Sequence, residues 1–165
     1  MSPRRPRPRH DPMAWATLIM IAALLAQFVL GMAANLFVTI PAHHPGASPK
    51  NYFIGAGHSV GWAITSGLLP LAAHVILGIL LIVAGFVLIA LAASSGHRGV
   101  LIASILGALF ILGAAFNGAS FLNFNDNPSS MIMAGLFAAA LACYVVVLFQ
   151  LSDAPASAGT GNVVS

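Results

Sequence analysis

The sequence predicts an all-α membrane protein, a four-transmembrane-helix bundle with a long extracytoplasmic loop between helices 1 and 2. Three observations carry this expectation. Of the 165 residues, 59% are hydrophobic and 5% charged, whereas a soluble domain carries about 25% charged residues. Mean hydropathy is +0.97, so the chain has too little polar surface for water and takes the lipid bilayer as its main partner. The apolar residues fall into four long runs, at 13–40, 68–93, 100–121 and 130–151. Each is long enough to match the roughly 20 residues that a spanning helix needs. The stretch between the first two runs, 41–67, holds His43, His44, His58 and the lone lysine Lys50. Connections of that length are usually functional or disordered, and this one carries Tyr52, Phe53 and Trp62.

Residues 1–12, MSPRRPRPRHDP, read as a disordered basic cytoplasmic tail, because proline removes backbone donors and breaks helices. The net charge of +3 is local to this tail, where Arg4, Arg5, Arg7 and Arg9 sit. It therefore marks no nucleic-acid surface. The charge-free run that follows is far longer than the apolar core of about 7–15 residues in a cleavable signal, so it reads as an anchor. The four-helix transmembrane domain covers 13–151. Backbone groups in lipid must bond within their own segment, which makes each run a helix. The second run ends at the polar turn Ser94 to Gly99, and the third at the cluster Asn123 to Pro128, with Pro128 suited to the first turn of the last helix. Residues 152–165 are small and polar and read as a flexible cytoplasmic tail.

The tail and the 94–99 turn hold all five arginines, and the opposite side holds only Lys50. The positive-inside rule then predicts a multi-pass protein of the cell membrane with both termini cytoplasmic. Tyr52, Phe53 and Trp62 would form an outer aromatic belt and Trp15 an inner one. Within the belt, 57–66 is a candidate surface helix with His58, Trp62 and Thr65 on one face, made marginal by its glycines. Small residues let helices approach, and four stripes offer that: Gly31 with Asn35; His74, Gly78 and Gly85; Ala114 with Gly118; and Gly135, Ala139 and Cys143. The same stripes would serve a homo-oligomer or a larger membrane complex. Cys143, the only cysteine, rules out an internal disulfide and any cysteine-based zinc site.

Chemistry is sparse. No P-loop, GxSxG elbow, HExxH motif or paired carboxylates occur, and no span contains Asp or Glu, which points away from an enzyme and from a carboxylate-based proton pump. His74 is the most informative residue, since an ionisable group inside a span usually faces the bundle interior. It reads either as an axial haem or metal ligand, oriented by Asn35 or Asn117, as a proton-handling group, or as a histidine bonded to a backbone carbonyl or a polar neighbour. His58 is its candidate partner, brought near if 57–66 roofs the bundle. His43 and His44 are candidate metal ligands, with Met131 and Met133 on the same face suggesting copper. Those methionines, two apart on a helix, point about 200° away from each other. Gln27, Asn35, Asn117, Ser120 and Asn123 are the polar residues of the first and third spans; interhelical hydrogen bonds are their default role, and binding a quinone or lipid headgroup is the alternative.

The run NLFVTIPAHHPGA at Asn35 to Ala47, with NYF at Asn51 to Phe53, SVGWAI at Ser59 to Ile64 and AHVILG at Ala73 to Gly78, resembles an uncharacterised family of small four-span bacterial membrane proteins. That resemblance implies a membrane protein and no particular activity. A looser likeness is to one four-helix half of the haem A synthase family, in which histidines near outer helix ends bind haem. Here only His74 stands in such a place, with no counterpart in the fourth span and no glutamate motif. The chain thus reads as a small polytopic protein acting as a membrane-embedded partner or binding protein. The alternative is a redox component holding haem b or copper through its outer-face histidines.

Overall fold

A chain with so few polar side chains can satisfy its backbone in lipid only by coiling, and most of its described residues are helical. A computed structural model describes residues 12–152. It contains five helices: α1 (Pro12–Phe37), α2 (Tyr52–Thr65), α3 (Leu69–Ser95), α4 (Arg98–Phe124) and α5 (Asn127–Ser152). Four of them, all but α2, are long and apolar enough to cross a membrane. At 26 or 27 residues each, they rise about 40 Å, more than the roughly 30 Å of hydrocarbon, so they span with tilt or protrude. The arginine-rich segment that argues for orientation lies outside the described residues, as do 153–165.

Helix ends follow local chemistry. The first helix stops at Phe37, short of the expected residue 40, because β-branched Val38, Thr39 and Ile40 run into Pro41, which disfavours helical dihedrals before it. Two-residue turns join the later helices. Gly96 closes α3 with φ 73°, the left-handed conformation glycine adopts without strain, and His97 precedes α4. Asn125 closes α4 with φ 51°, its N–H donating to Phe121 O at 2.8 Å. Pro128 sits in the first turn of α5, as the sequence predicts.

The four spans form a ring in the order α1, α3, α4, α5, each packed on its two neighbours, with the Tyr144 ring of α5 reaching across the middle towards Gly85 of α3. Large side chains on one helix sit over missing side chains on the next. A Cβ at Gly107 would lie 2.9 Å from the Tyr144 ring, and one at Gly113 3.1 Å from Leu136 Cδ1. Tyr144 is the largest fully buried residue, held with Leu24, Leu88, Val100 and Val147 in the main core. This makes α4 and α5 the most closely joined pair. Within the expected stripe on α5, Gly135 faces open space, while Ala139 and Cys143 are half-buried.

The long loop expected over 41–67 is a correction. Residues 38–51 are irregular, but 52–65 form α2, five residues longer at its start than the candidate surface helix. Asn51 caps it, its Oδ1 accepting from Ile54 N at 3.2 Å. Its buried face is Gly55, Ser59 and Ala63, a stripe of small residues with i,i+4 spacing laid over the ends of α3 and α4. Tertiary contact, not propensity, holds this glycine-bearing helix. Gly57 and Gly61, by contrast, meet nothing on their open side. Changing either to alanine is therefore expected to stabilise α2 by about 0.5–1 kcal/mol, read as slower amide exchange across residues 52–65. Faster exchange in either variant would show that the free space is needed.

Candidate functional site

Two polar constellations stand out at the end of the bundle covered by α2. The first fastens the cover. The last carbonyls of any helix lack internal partners, and the segment before α2 supplies them for α4. His44 Nε2 lies 3.0 Å from Leu122 O, and Ser48 N donates to Asn123 O at 2.8 Å. The Asn123 side chain, 2% exposed, works in both directions: its Oδ1 accepts from Ser59 Oγ at 2.7 Å and its Nδ2 donates to Tyr52 O at 3.4 Å. Tyr52 in turn donates to Phe116 O at 2.8 Å. Gly46 turns the chain with φ 95°, a conformation open to glycine, and any Cβ there would collide with Ser59 and the Gly55 carbonyl.

The second constellation lies in the wall of a cavity. Gln27 Nε2 donates to His74 O at 3.0 Å and sits 3.4 Å from His74 Nε2. His74 Nδ1 lies 3.2 Å from Gln27 O. The consistent protonation is a neutral ring that donates from Nδ1 to that carbonyl and receives the amide N–H at Nε2. Two glycines make room: a Cβ at Gly31 would come within 2.9 Å of His74 Cε1, and one at Gly78 within 3.2 Å of Gln27 Nε2. The stripes seen in the sequence are thus seats for two polar side chains. The expected orienting groups are different residues. Asn35 lies exposed in the cavity wall, and Asn117 Nδ2 turns back to Gly113 O of its own helix at 2.9 Å.

The cavity itself holds about 550 Å³ and opens between the covered ends of α1, α3, α4 and α5. It is mostly apolar. Leu24, Phe28, Ile82, Ile111 and Phe137 line its walls, and Asn35, Asn125, Asn127 and Ser130 give it a polar rim. The backbone of the cover lies on α3 and α4, and Val60 of α2 joins Val38 and Ile40 in the cavity lining. Phe28 and Phe137 stack across the α1–α5 seam with centroids 5.7 Å apart.

The histidines are dispersed. His58 is exposed in a surface hollow beside Pro49 and Lys50 and does not share the cavity of His74. The next residue, Ser59, belongs to the buried stripe, and one residue along a helix turns the side chain by about 100°. His43 is exposed. His44 stacks on Trp62 at 4.4 Å, with Nδ1 3.0 Å from Pro45 O and Nε2 on Leu122 O. Both His44 nitrogens face carbonyl oxygens, of which a neutral ring can donate to only one, and both His74 nitrogens are engaged by Gln27. Among the described residues, no three His, Cys, Asp or Glu side chains gather as a metal site. The candidate histidines His43, His44, His58 and His74 are thus not brought together at one site.

Four apolar helices in a ring, each long enough to cross a bilayer, fit a polytopic membrane protein. No protein-family model, curated protein or solved structure matches the chain.

Proposed function

We propose that this protein binds a lipid-dissolved hydrocarbon molecule, which reaches the cavity sideways through the seam between α1 and α5. The observation that carries this reading is the cavity. Its volume of about 550 Å³ falls in the roughly 300–1,000 Å³ range of ligand sites, and an apolar wall with a few convergent polar groups is their usual make-up. On α1 the cavity lining includes Phe28 and Met32, both exposed. Side chains of that kind face acyl chains in a bilayer, so the adjoining solvent is hydrocarbon. The positive-inside rule supports a placement with α2 and the cavity mouth on the outer face, because Arg98 opens α4 at the opposite end. A reporter active only in the cytoplasm should then give signal at 94–99 and none within 41–51; the reverse pattern would refute that placement.

The test of binding uses a membrane-soluble hydrocarbon bearing a diazirine, added to the protein in lipid nanodiscs. Labelling should concentrate on the cavity residues of α1 and α5 and be displaced by unlabelled hydrocarbon. In Ala114→Trp, whose indole would occupy the cavity, this displaceable fraction should disappear. Even, non-displaceable labelling around all four spans would show ordinary annular lipid and defeat the reading.

A further inference from the structure

The segment that fastens α2 to α4 contains a histidine with an acceptor at each ring nitrogen. His44 Nδ1 stands 3.0 Å from Pro45 O and Nε2 3.0 Å from Leu122 O. Carbonyl oxygens only accept, so each contact needs a proton on the nitrogen. A neutral imidazole carries one such proton in either tautomer and sets its other lone pair against an oxygen. The imidazolium carries both and satisfies both. Its charge has a partner as well. The ring lies over Trp62, with centroids 4.4 Å apart and planes 21° from parallel, inside the roughly 6 Å at which an aromatic face attracts a cation.

The other ionisable groups of the surrounding elements are engaged elsewhere or exposed. The segment before α2 carries His43 and Lys50, α2 carries Tyr52 and His58, and the turn after α4 carries Asp126. Tyr52 bonds to Phe116 O and Ser120, and Asp126 accepts from Ser129. His43, Lys50 and His58 are exposed.

We propose that His44 is a proton-operated clasp, doubly protonated while the cover is closed and loosening it when one proton leaves. Pro45 O adjoins the ring in sequence, whereas Leu122 O reaches it only with the cover closed. The closed form therefore favours the second proton, so acid favours closure and rising pH favours opening, across the range of about pH 5 to 8 in which histidines change charge. The clasp bears on one wall of the cavity, since Val38, Ile40 and Val60 line it. It stands independently of what the cavity binds.

The experiment measures hydrogen exchange of amides 52–65 in lipid nanodiscs at about pH 5 and about pH 8, each rate divided by the intrinsic rate of the unfolded sequence at that pH. Opening of the wild type should rise about three- to tenfold from the lower to the higher pH, the worth of one hydrogen bond. In His44→Gln, whose amide cannot change charge, opening should be the same at both. A variant carrying His43→Gln and His58→Gln should keep the wild-type dependence. If His44→Gln loses the thermal transition of the spans, the ring nitrogens of the wild type decide by their 15N resonances. Both should bear hydrogen at the lower pH and only one at the higher. Opening that is independent of pH in the wild type, a dependence that survives His44→Gln, or a ring with one bare nitrogen throughout would overturn the clasp.

Discussion

Gly107→Leu is expected to be among the most damaging single changes in the membrane-spanning part of the protein. The Tyr144 ring lies 2.9 Å from where even a Cβ at position 107 would stand. Tyr144 has no exposed surface and its hydroxyl end lies against Gly85, so the ring has little space to yield. Overpacking of a filled core costs about 1–3 kcal/mol and more where nothing can move; here the backbones of α4 and α5 would have to part. The measurement is thermal unfolding in detergent, with Tyr144→Phe as a control. Its hydroxyl makes no hydrogen bond, so its removal should be neutral or slightly stabilising. Combining Gly107→Leu with Tyr144→Ala should recover part of the loss. A wild-type transition in Gly107→Leu alone would mean that the two helices do not meet this way.

Asn123→Leu is expected to release the cover while leaving the four spans packed. The change leaves the Ser59 hydroxyl and the Tyr52 carbonyl without their buried partner. Stranded polar groups cost about 1–3 kcal/mol each, comparable with what a two-turn contact surface can supply. Proteolysis within 38–51 should accelerate markedly, whereas the thermal transition of the spans should shift less. Ser59→Ala made in the Asn123→Leu background should then add little, because the two side chains act as one pair. Full additivity would show that they are not coupled.

The four spans were legible because their charge-free length leaves a bilayer no other structure. Their ends were less so: α4 runs on to Phe124 because Asn125 adopts a left-handed cap, which composition does not reveal. The helix α2 was only half legible, for a physical reason. Its glycines argue against it locally, and what holds it is Asn123, 64 positions away from Ser59 in sequence. His74 was visible as the buried polar group of α3, and a bond to a backbone carbonyl was one of its two expected roles. Its partner was not visible. Gln27 lies about three turns below the end of α1 and His74 about one and a half turns into α3. Matching depth from helix ends therefore selects Asn35 or Asn117, and the offset arises because α2 stands over the start of α3. The cavity had no signature at all, being space left where α2 covers two helices of four.

The measurement that tests the binding claim most directly is native mass spectrometry of the protein released from nanodiscs made with natural membrane lipid. Wild-type protein should carry one hydrocarbon molecule per chain that survives collisional removal of annular lipid, and Ala114→Trp should carry none. A stripped wild-type chain at the mass of the bare polypeptide, or the same retained adduct in Ala114→Trp, would contradict the account.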